Sequence, residues 1–417
     1  MGRLNPAELE IDLLCKGVRL DPSCTLEEDA RSFSRTRAGL GSGLEITLPA
    51  PDKSLWVNVP VFEPFAAQSP YLLHKRDGAY AVADGRVAGL EYPVGVPSRP
   101  SWYDLKTSRG IPMTQVGVLQ GTYLGIYFSE TCQFWKMSPS EACKFCTTGL
   151  NVGTTDAEGK NVQDVVETAG AAKRESGITF VHFNTGFQNS DGLDLAAPYV
   201  KAVKEKVGAL VGLQVIPSRT LWKYDWLMDV GVDHFSFCYE FHNPEYFAKY
   251  LPGKQGRVGQ EAFFRAMEYC AKKMGKGRAS GEIIAGIEPV EDTLRAIDYI
   301  TSVGCFPTVC IFRPLHGAAL ASHPSPAYED MVAVFRHVYE ACMKNGLPIG
   351  MAPNIEVSLI VNPDDAKYLV PPSPRKWLYE AKLKAVRRML KPIFASKIRP
   401  RPVPASAERW QKAPAAG

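Results

Sequence analysis

Three cysteines, Cys132, Cys143 and Cys146, follow the apolar run Tyr123–Ser129 where it passes into a loop. The last two close a Cys143-Lys-Phe-Cys146 segment with an aromatic just ahead of the final thiol. Three thiolates can hold three irons of a [4Fe–4S] cube and leave the fourth open to another ligand. An open iron is catalytic, whereas four thiolates make an electron relay or a structural knot. The same residue types also suit a zinc knuckle completed by a histidine such as His182 or His242, or three buried thiols. Ten residues separate Cys132 from Cys143 with no cysteine between them. The first ligand is therefore Cys132 or a residue from elsewhere.

The elements around these thiols alternate. Runs Leu124–Phe128, Thr179–Asn184, Leu210–Ile216, His234–Tyr239, Glu282–Ile287, Thr308–Phe312 and Ile355–Val361 read as strands. Helical patterns lie between them at 162–175, 193–206, 221–229, 258–274, 290–303 and 326–344. Alternating βα units predict a parallel sheet with helices outside, here a partial (β/α)6 barrel. Chemistry in such folds sits at the C-terminal ends of the strands, and the cysteine loop leaves the first strand at that edge. Ahead of the barrel, residues 1–110 hold a short helix (Ala7–Lys16) and the runs Leu44–Leu48, Leu55–Val61 and Ala79–Val82, separated by turns such as Arg76-Asp-Gly78. They predict a small β-rich extension. Residues 111–370 then form the barrel, and 371–417 a basic tail.

Hydrophobic content of 45% and charge of 22% are ordinary for a globular chain of 417 residues. Net charge is +4, but residues 371–417 hold twelve Lys/Arg against Glu380 and Glu408, so the first 370 residues carry −6. The body is therefore no nucleic-acid surface. The tail opens with a basic amphipathic stretch, Trp377–Leu390, whose Leu/Val/Met face is expected to pack on the barrel. Peripheral contact with an anionic membrane is its second reading. A Pro/Arg run, Arg399–Pro404, follows. Neither a secretory h-region nor an apolar run long enough to span a bilayer is present, and the ten cysteines form no disulfide array. A reducing cytoplasm is the expected compartment.

With Phe145 as the aromatic before its last thiol, the cysteine loop resembles that of the radical S-adenosylmethionine (SAM) superfamily. The usual spacing there is three residues, then two; the second half matches and the first departs. Four more stretches are similar to the biotin-synthase-like group: Ser280-Gly-Glu-Ile-Ile-Ala-Gly-Ile-Glu288, Phe312-Arg-Pro-Leu-His-Gly-Ala-Ala-Leu320, Gly256-Arg-Val-Gly-Gln-Glu261 and Phe183-Asn-Thr-Gly186. Over the whole chain, the β-rich preface, the extended gap before Cys-x-Phe-Cys and Ser69-Pro-Tyr71 resemble the radical SAM proteins of nitrilase-containing bacterial gene clusters, which implies a nitrogen-metabolism context.

The resemblance implies a [4Fe–4S] cluster on Cys132, Cys143 and Cys146, with SAM chelating the open iron. An electron from a low-potential donor such as flavodoxin or ferredoxin would cleave SAM. The resulting 5′-deoxyadenosyl radical would take hydrogen from a small-molecule substrate. Implied SAM contacts are Phe145, the Asn184-Thr185-Gly186 turn standing where the superfamily has Gly-Gly-Glu, Gln214, Glu240, Arg257 toward the carboxylate, and Gly286 with Gly281 where adenine lies against backbone. Tyr239, Trp222, His182 and Arg313 are candidate lumen residues, and Glu288 reads as a helix N-terminal charge. Ala279 stands where biotin synthase keeps a cysteine for its second cluster, so sulfur insertion is disfavoured. The alternative is a zinc- or cluster-binding barrel without radical chemistry. The chain lacks a P-loop, a His-Glu-x-x-His and a Gly-x-Ser-x-Gly, and Gly39–Gly43 opens no βαβ unit.

Overall fold

The computed structural model describes residues 2–24, 26, 43–138, 140–189, 191–404 and 407. Its first helix, Pro6–Lys16, begins at a capping box in which Asn5 and Glu8 satisfy each other's backbone N–H groups. Strands β1 (Arg19–Leu20), β4 (Tyr71–Arg76), β5 (Ala79–Asp84) and β6 (Glu91–Val94) form one small sheet, and β2 (Leu44–Pro49) pairs antiparallel with β3 (Ser54–Val59). The extension is thus β-rich, as expected. Strands β4 and β6 escaped the sequence reading because His74-Lys-Arg76 and Pro93 interrupt their apolar alternation.

The large sheet runs in chain order: β7 (Val118–Gln120), β8 (Tyr123–Tyr127), β9 (Phe180–Asn184), β10 (Leu210–Gln214), β11 (His234–Glu240), β12 (Ala279–Ala285) and β13 (Phe306–Ile311). The six strands from β8 to β13 are parallel, with a helix after each strand from β9 onward, giving the expected half-barrel. The gap between β8 and β9 holds the cysteine loop and then helix Val162–Ser176. An antiparallel hairpin strand, β7, was not foreseen. Its turn uses Gly121 at φ +69°, where a Cβ would stand 2.0 Å from the Glu356 carbonyl oxygen.

The seventh expected barrel strand, Ile355–Val361, is not a strand. The chain turns at Asn354 (φ +52°) and crosses under the barrel. Its backbone groups pair with loops: Glu356 exchanges hydrogen bonds with Thr122, and the Ser358 carbonyl accepts the Asn58 N–H. Its alternation arises because Ile355 and Val357 pack against Tyr123, Phe180 and Leu210 at the barrel floor. Strand β12 also starts three residues earlier than expected.

The tail forms one long helix, Pro374–Lys397. Its inward stripe is Tyr379, Leu383, Val386, Leu390 and Phe394, with the Tyr379 hydroxyl donating to the Leu347 carbonyl at 2.5 Å. The expected Leu/Val/Met face therefore packs only in part. Leu378 and Met389 point outward.

Candidate functional site

Cys132 ends the loop leaving β8 and starts the short helix Gln133–Met137. The Gln133 N–H donates to the Phe187 carbonyl (2.8 Å), and Phe134 stacks on Phe187 with centroids 4.5 Å apart. The Tyr127 hydroxyl accepts the Gly186 N–H (3.2 Å) and donates to the Glu130 carbonyl (3.0 Å). Through these bonds the β8 and β9 loops are one unit. Gly186 is required by contact: a Cβ there would lie 2.4 Å from the Cys132 Cβ and 2.8 Å from its Sγ.

The Cys143–Cys146 segment is held separately. The Lys144 N–H donates to the Tyr250 carbonyl, the Gly253 N–H to the Glu141 carbonyl, and the Leu320 N–H to the Lys144 carbonyl. The Cys146 Sγ accepts the Thr148 N–H at 3.4 Å. Phe145 is buried and meets Phe241 edge-on.

The three thiols share one electrostatic neighbourhood. Burial pushes the Cys132 thiol up, and Cys146 adds to it. Burial also raises Cys143, which Lys254 pulls the other way while Cys146 and Cys132 oppose it. Among the described residues no three His, Cys, Asp or Glu groups stand close enough to share a single metal ion. The histidines of the zinc alternative lie apart. His182 is in the lumen wall, and His242 sits among Phe264, Tyr239 and Tyr299.

Beside this loop, Glu240 carries a positive φ of 67° at a β-bulge in β11, and its carboxylate pairs with the buried Lys254 ammonium at 2.9 Å. Lys254 also donates to the Cys238 carbonyl at 2.7 Å. Burial, the largest single cause, would pull the lysine pKa down, but Glu240 together with Cys143 and Cys238 outweighs it and the net shift is upward. No sequence signal marked Lys254; it lies three residues before Arg257 in the stretch quoted for SAM.

Two cavities meet these elements. An upper cleft of about 210 Å³ lies over the ends of β9 and β10, lined by Gly186, Gln188, Asp191, Ser218, Arg219 and Arg257. Arg257 is exposed and ends the short helix Pro252–Arg257; the next helix, Gln260–Met274, starts only after Gly259 at φ +83°. The Thr185 hydroxyl pairs with Ser129 and with the Gly186 carbonyl.

The second cavity, about 590 Å³, is the barrel lumen. Its upper part presents Asn184, Gln214, Ser236, Glu282 and Cys310, while Phe180, Leu210, Ile355 and Phe394 line its floor. The Asn184 Oδ1 is buried without a hydrogen-bond partner among the described residues. The Gln214 amide donates to the Cys238 Sγ. Glu282 accepts from Ser236 (3.0 Å) and from the Cys238 thiol, and burial pushes its carboxyl up to about 7. The sequence reading passed over Glu282, although a carboxylate two residues from Ser280 in an otherwise apolar strand faces the same side.

Other expectations are placed differently. A Cβ on Gly281 would strike Ile300 and Met267, so that glycine faces the outer helices, and one on Gly286 (φ +99°) would strike Pro326 at 2.2 Å. Tyr239 is buried against Phe264, away from the lumen. Trp222 opens helix Trp222–Val230. Arg313 is held by Asn58, donating to its carbonyl at 2.7 Å. Glu288 accepts the N–H groups of His242 and Asn243, so it braces the loop after β11.

No family model matches the chain. The bacteriochlorophyllide c C-7(1)-hydroxylase of Chlorobaculum limnaeum is 22% identical over a 268-residue alignment covering 58% of this chain. The match spans 66% of that relative, just under two thirds of its length. Among solved structures, methylornithine synthase is similar at TM-score 0.41 and 17% identity, covering 75% of this chain and 94% of that one. SuiB of Streptococcus suis is similar at TM-score 0.40 and 11% identity, covering 54% and 47%.

Proposed function

We propose that this chain is a radical SAM enzyme that holds a [4Fe–4S] cluster through Cys132, Cys143 and Cys146 and acts on a small molecule in the barrel lumen. The observation that carries the reading is the placement of the three cysteines in one loop at the C-terminal rim of a parallel half-barrel, with Gly186 leaving room for Cys132. The donor set, three sulfurs, suits the group, while His182 and His242 of the zinc alternative are placed in the lumen wall and among Phe264 and Tyr299. When bound, cluster and SAM would supply a 5′-deoxyadenosyl radical, given an electron from a flavodoxin- or ferredoxin-type donor.

The protein's own part is positional. Arg257 and Arg219 offer guanidinium groups to a carboxylate in the upper cleft. Lys254 compensates the Glu240 charge beside Cys143. In the lumen, Asn184 supplies an acceptor, and Glu282, pushed up to about 7, can donate a hydrogen bond in its protonated form. The apolar floor closes the lumen from below and favours a substrate with an apolar body.

Anaerobic purification and reconstitution test the reading. We expect brown protein with about four irons per chain, release of 5′-deoxyadenosine with SAM and a low-potential reductant, and loss of both in Cys143→Ala and Cys146→Ala. Full iron in Cys132→Ala would assign the first ligand elsewhere. A colourless, zinc-loaded protein would refute the reading.

A further inference from the structure

The helix Pro374–Lys397 presents two faces. Its inner stripe is accounted for by the barrel, but its outer one carries Trp377 (69% exposed), Leu378 (65%), Met389 (67%) and, at one edge, Ile393 (49%). These are four of the ten most exposed large apolar side chains among the described residues. At about 3.6 residues per turn, Trp377, Leu378, Ala381, Ala385, Met389 and Pro392 fall on one outward strip. Lys384 and Lys391 run along one border with Arg388 just inside it, and Arg375 and Lys382 along the other. None of these five cations makes an ion pair among the described residues. The helix as a whole holds eight Lys/Arg against Glu380 alone.

We propose that this outer face docks on an anionic phospholipid bilayer, with the helix lying in the plane of the interface. An apolar strip bordered by cations is the pattern of an interfacial helix: the strip enters the acyl boundary while the lysine and arginine stems reach back to the headgroups. A helix serving only as a strut against the barrel has no use for tryptophan and methionine on its far side. Charge selects the occupant. A protein partner for the apolar strip alone would not call for five unpaired cations around it, whereas anionic headgroups supply their counter-charges across the whole length. No helix of the described residues is long and apolar enough to cross the membrane, so the contact is peripheral.

Flotation of the full-length, anaerobically purified protein with vesicles tests this. Binding is expected to phosphatidylglycerol/phosphatidylcholine vesicles and to be weak with phosphatidylcholine alone. The triple variant Trp377→Glu, Leu378→Glu, Met389→Glu should stay unbound while keeping the wild-type thermal melt, because all three side chains are exposed. Lys384→Ala and Arg388→Ala should each lower partitioning about fivefold, and the loss should shrink at high salt. Absence of wild-type binding to anionic vesicles would overturn the proposal, as would equal binding to both vesicle types. So would a concentration-dependent dimer that the triple variant abolishes without any vesicle binding. Iron content and 5′-deoxyadenosine release are read separately, so failure here leaves the cluster assignment standing.

Discussion

Replacing Glu282 by glutamine isolates the effect of burying a carboxyl in the lumen. In the native protein that carboxyl is pushed from 4.5 up to about 7, burial being the main cause. Folding therefore favours the protonated form. The stability this contributes is fully present below about pH 4.5 and is lost as pH rises through 7. With about 1.4 kcal/mol per pKa step, the wild type should lose on the order of 3 kcal/mol from this group between pH 4.5 and 8. Glutamine keeps an oxygen for Ser236 and the Cys238 thiol but cannot ionise, so the variant lacks that loss. Denaturant midpoints of wild type and Glu282→Gln, measured in the same cluster state across this range, give the difference directly. Other titrating groups cancel in the comparison. The variant should gain on the wild type between about pH 4.5 and 7 and hold that gain above it. A difference that stays flat from pH 5 to 8 would refute the placement of a neutral carboxyl in the lumen.

Three further substitutions separate packing from chemistry. Gly186→Ala must displace Cys132, because the new Cβ would lie 2.4 Å from the cysteine Cβ; iron bound per reconstituted chain should fall, and full iron would remove Gly186 from the site. Gly281→Ala should cost about 1–3 kcal/mol through overpacking against Ile300 and Met267, with SAM affinity in the folded fraction unchanged. A selective loss of SAM binding would restore the adenine role that the sequence suggested for that residue. Lys254→Met leaves Glu240 buried and unpaired, a loss of about 3–5 kcal/mol; adding Glu240→Gln should recover much of it in a double-mutant cycle, and strict additivity would deny the pairing.

The half-barrel was legible because each βα unit carries its own signal: a short apolar strand, then a helix with one apolar face. Cys143 and Cys146 stand out as candidates for a similar reason, since two thiols and an aromatic within four residues are a local pattern. Residues whose partners lie far along the chain were not legible. Lys254 reads as an ordinary surface lysine until Glu240, fourteen residues earlier, meets it across a bulge. Gly281 looked like a gap left for a ligand, yet its missing side chain is filled by Ile300. The segment Ile355–Val361 was misread for a third reason. Alternation reports which side chains are buried, not where the backbone finds its hydrogen bonds, and here those go to Thr122 and Asn58.

The crossing under the barrel bears on how the chain can be cut. Glu45 of β2 accepts the Gly121 N–H and the Ser358 hydroxyl, both at 2.6 Å. Asn58 of β3 takes the buried Arg313 guanidinium. Lys53 sits among Glu356, Asp364 and Asp365. A fragment beginning at residue 111 would take Asn58 and Glu63 from that guanidinium and Lys53 from three carboxylates. The opening hundred residues thus act as a keel for the half-barrel, and preparations lacking them should be insoluble even where every cysteine is retained.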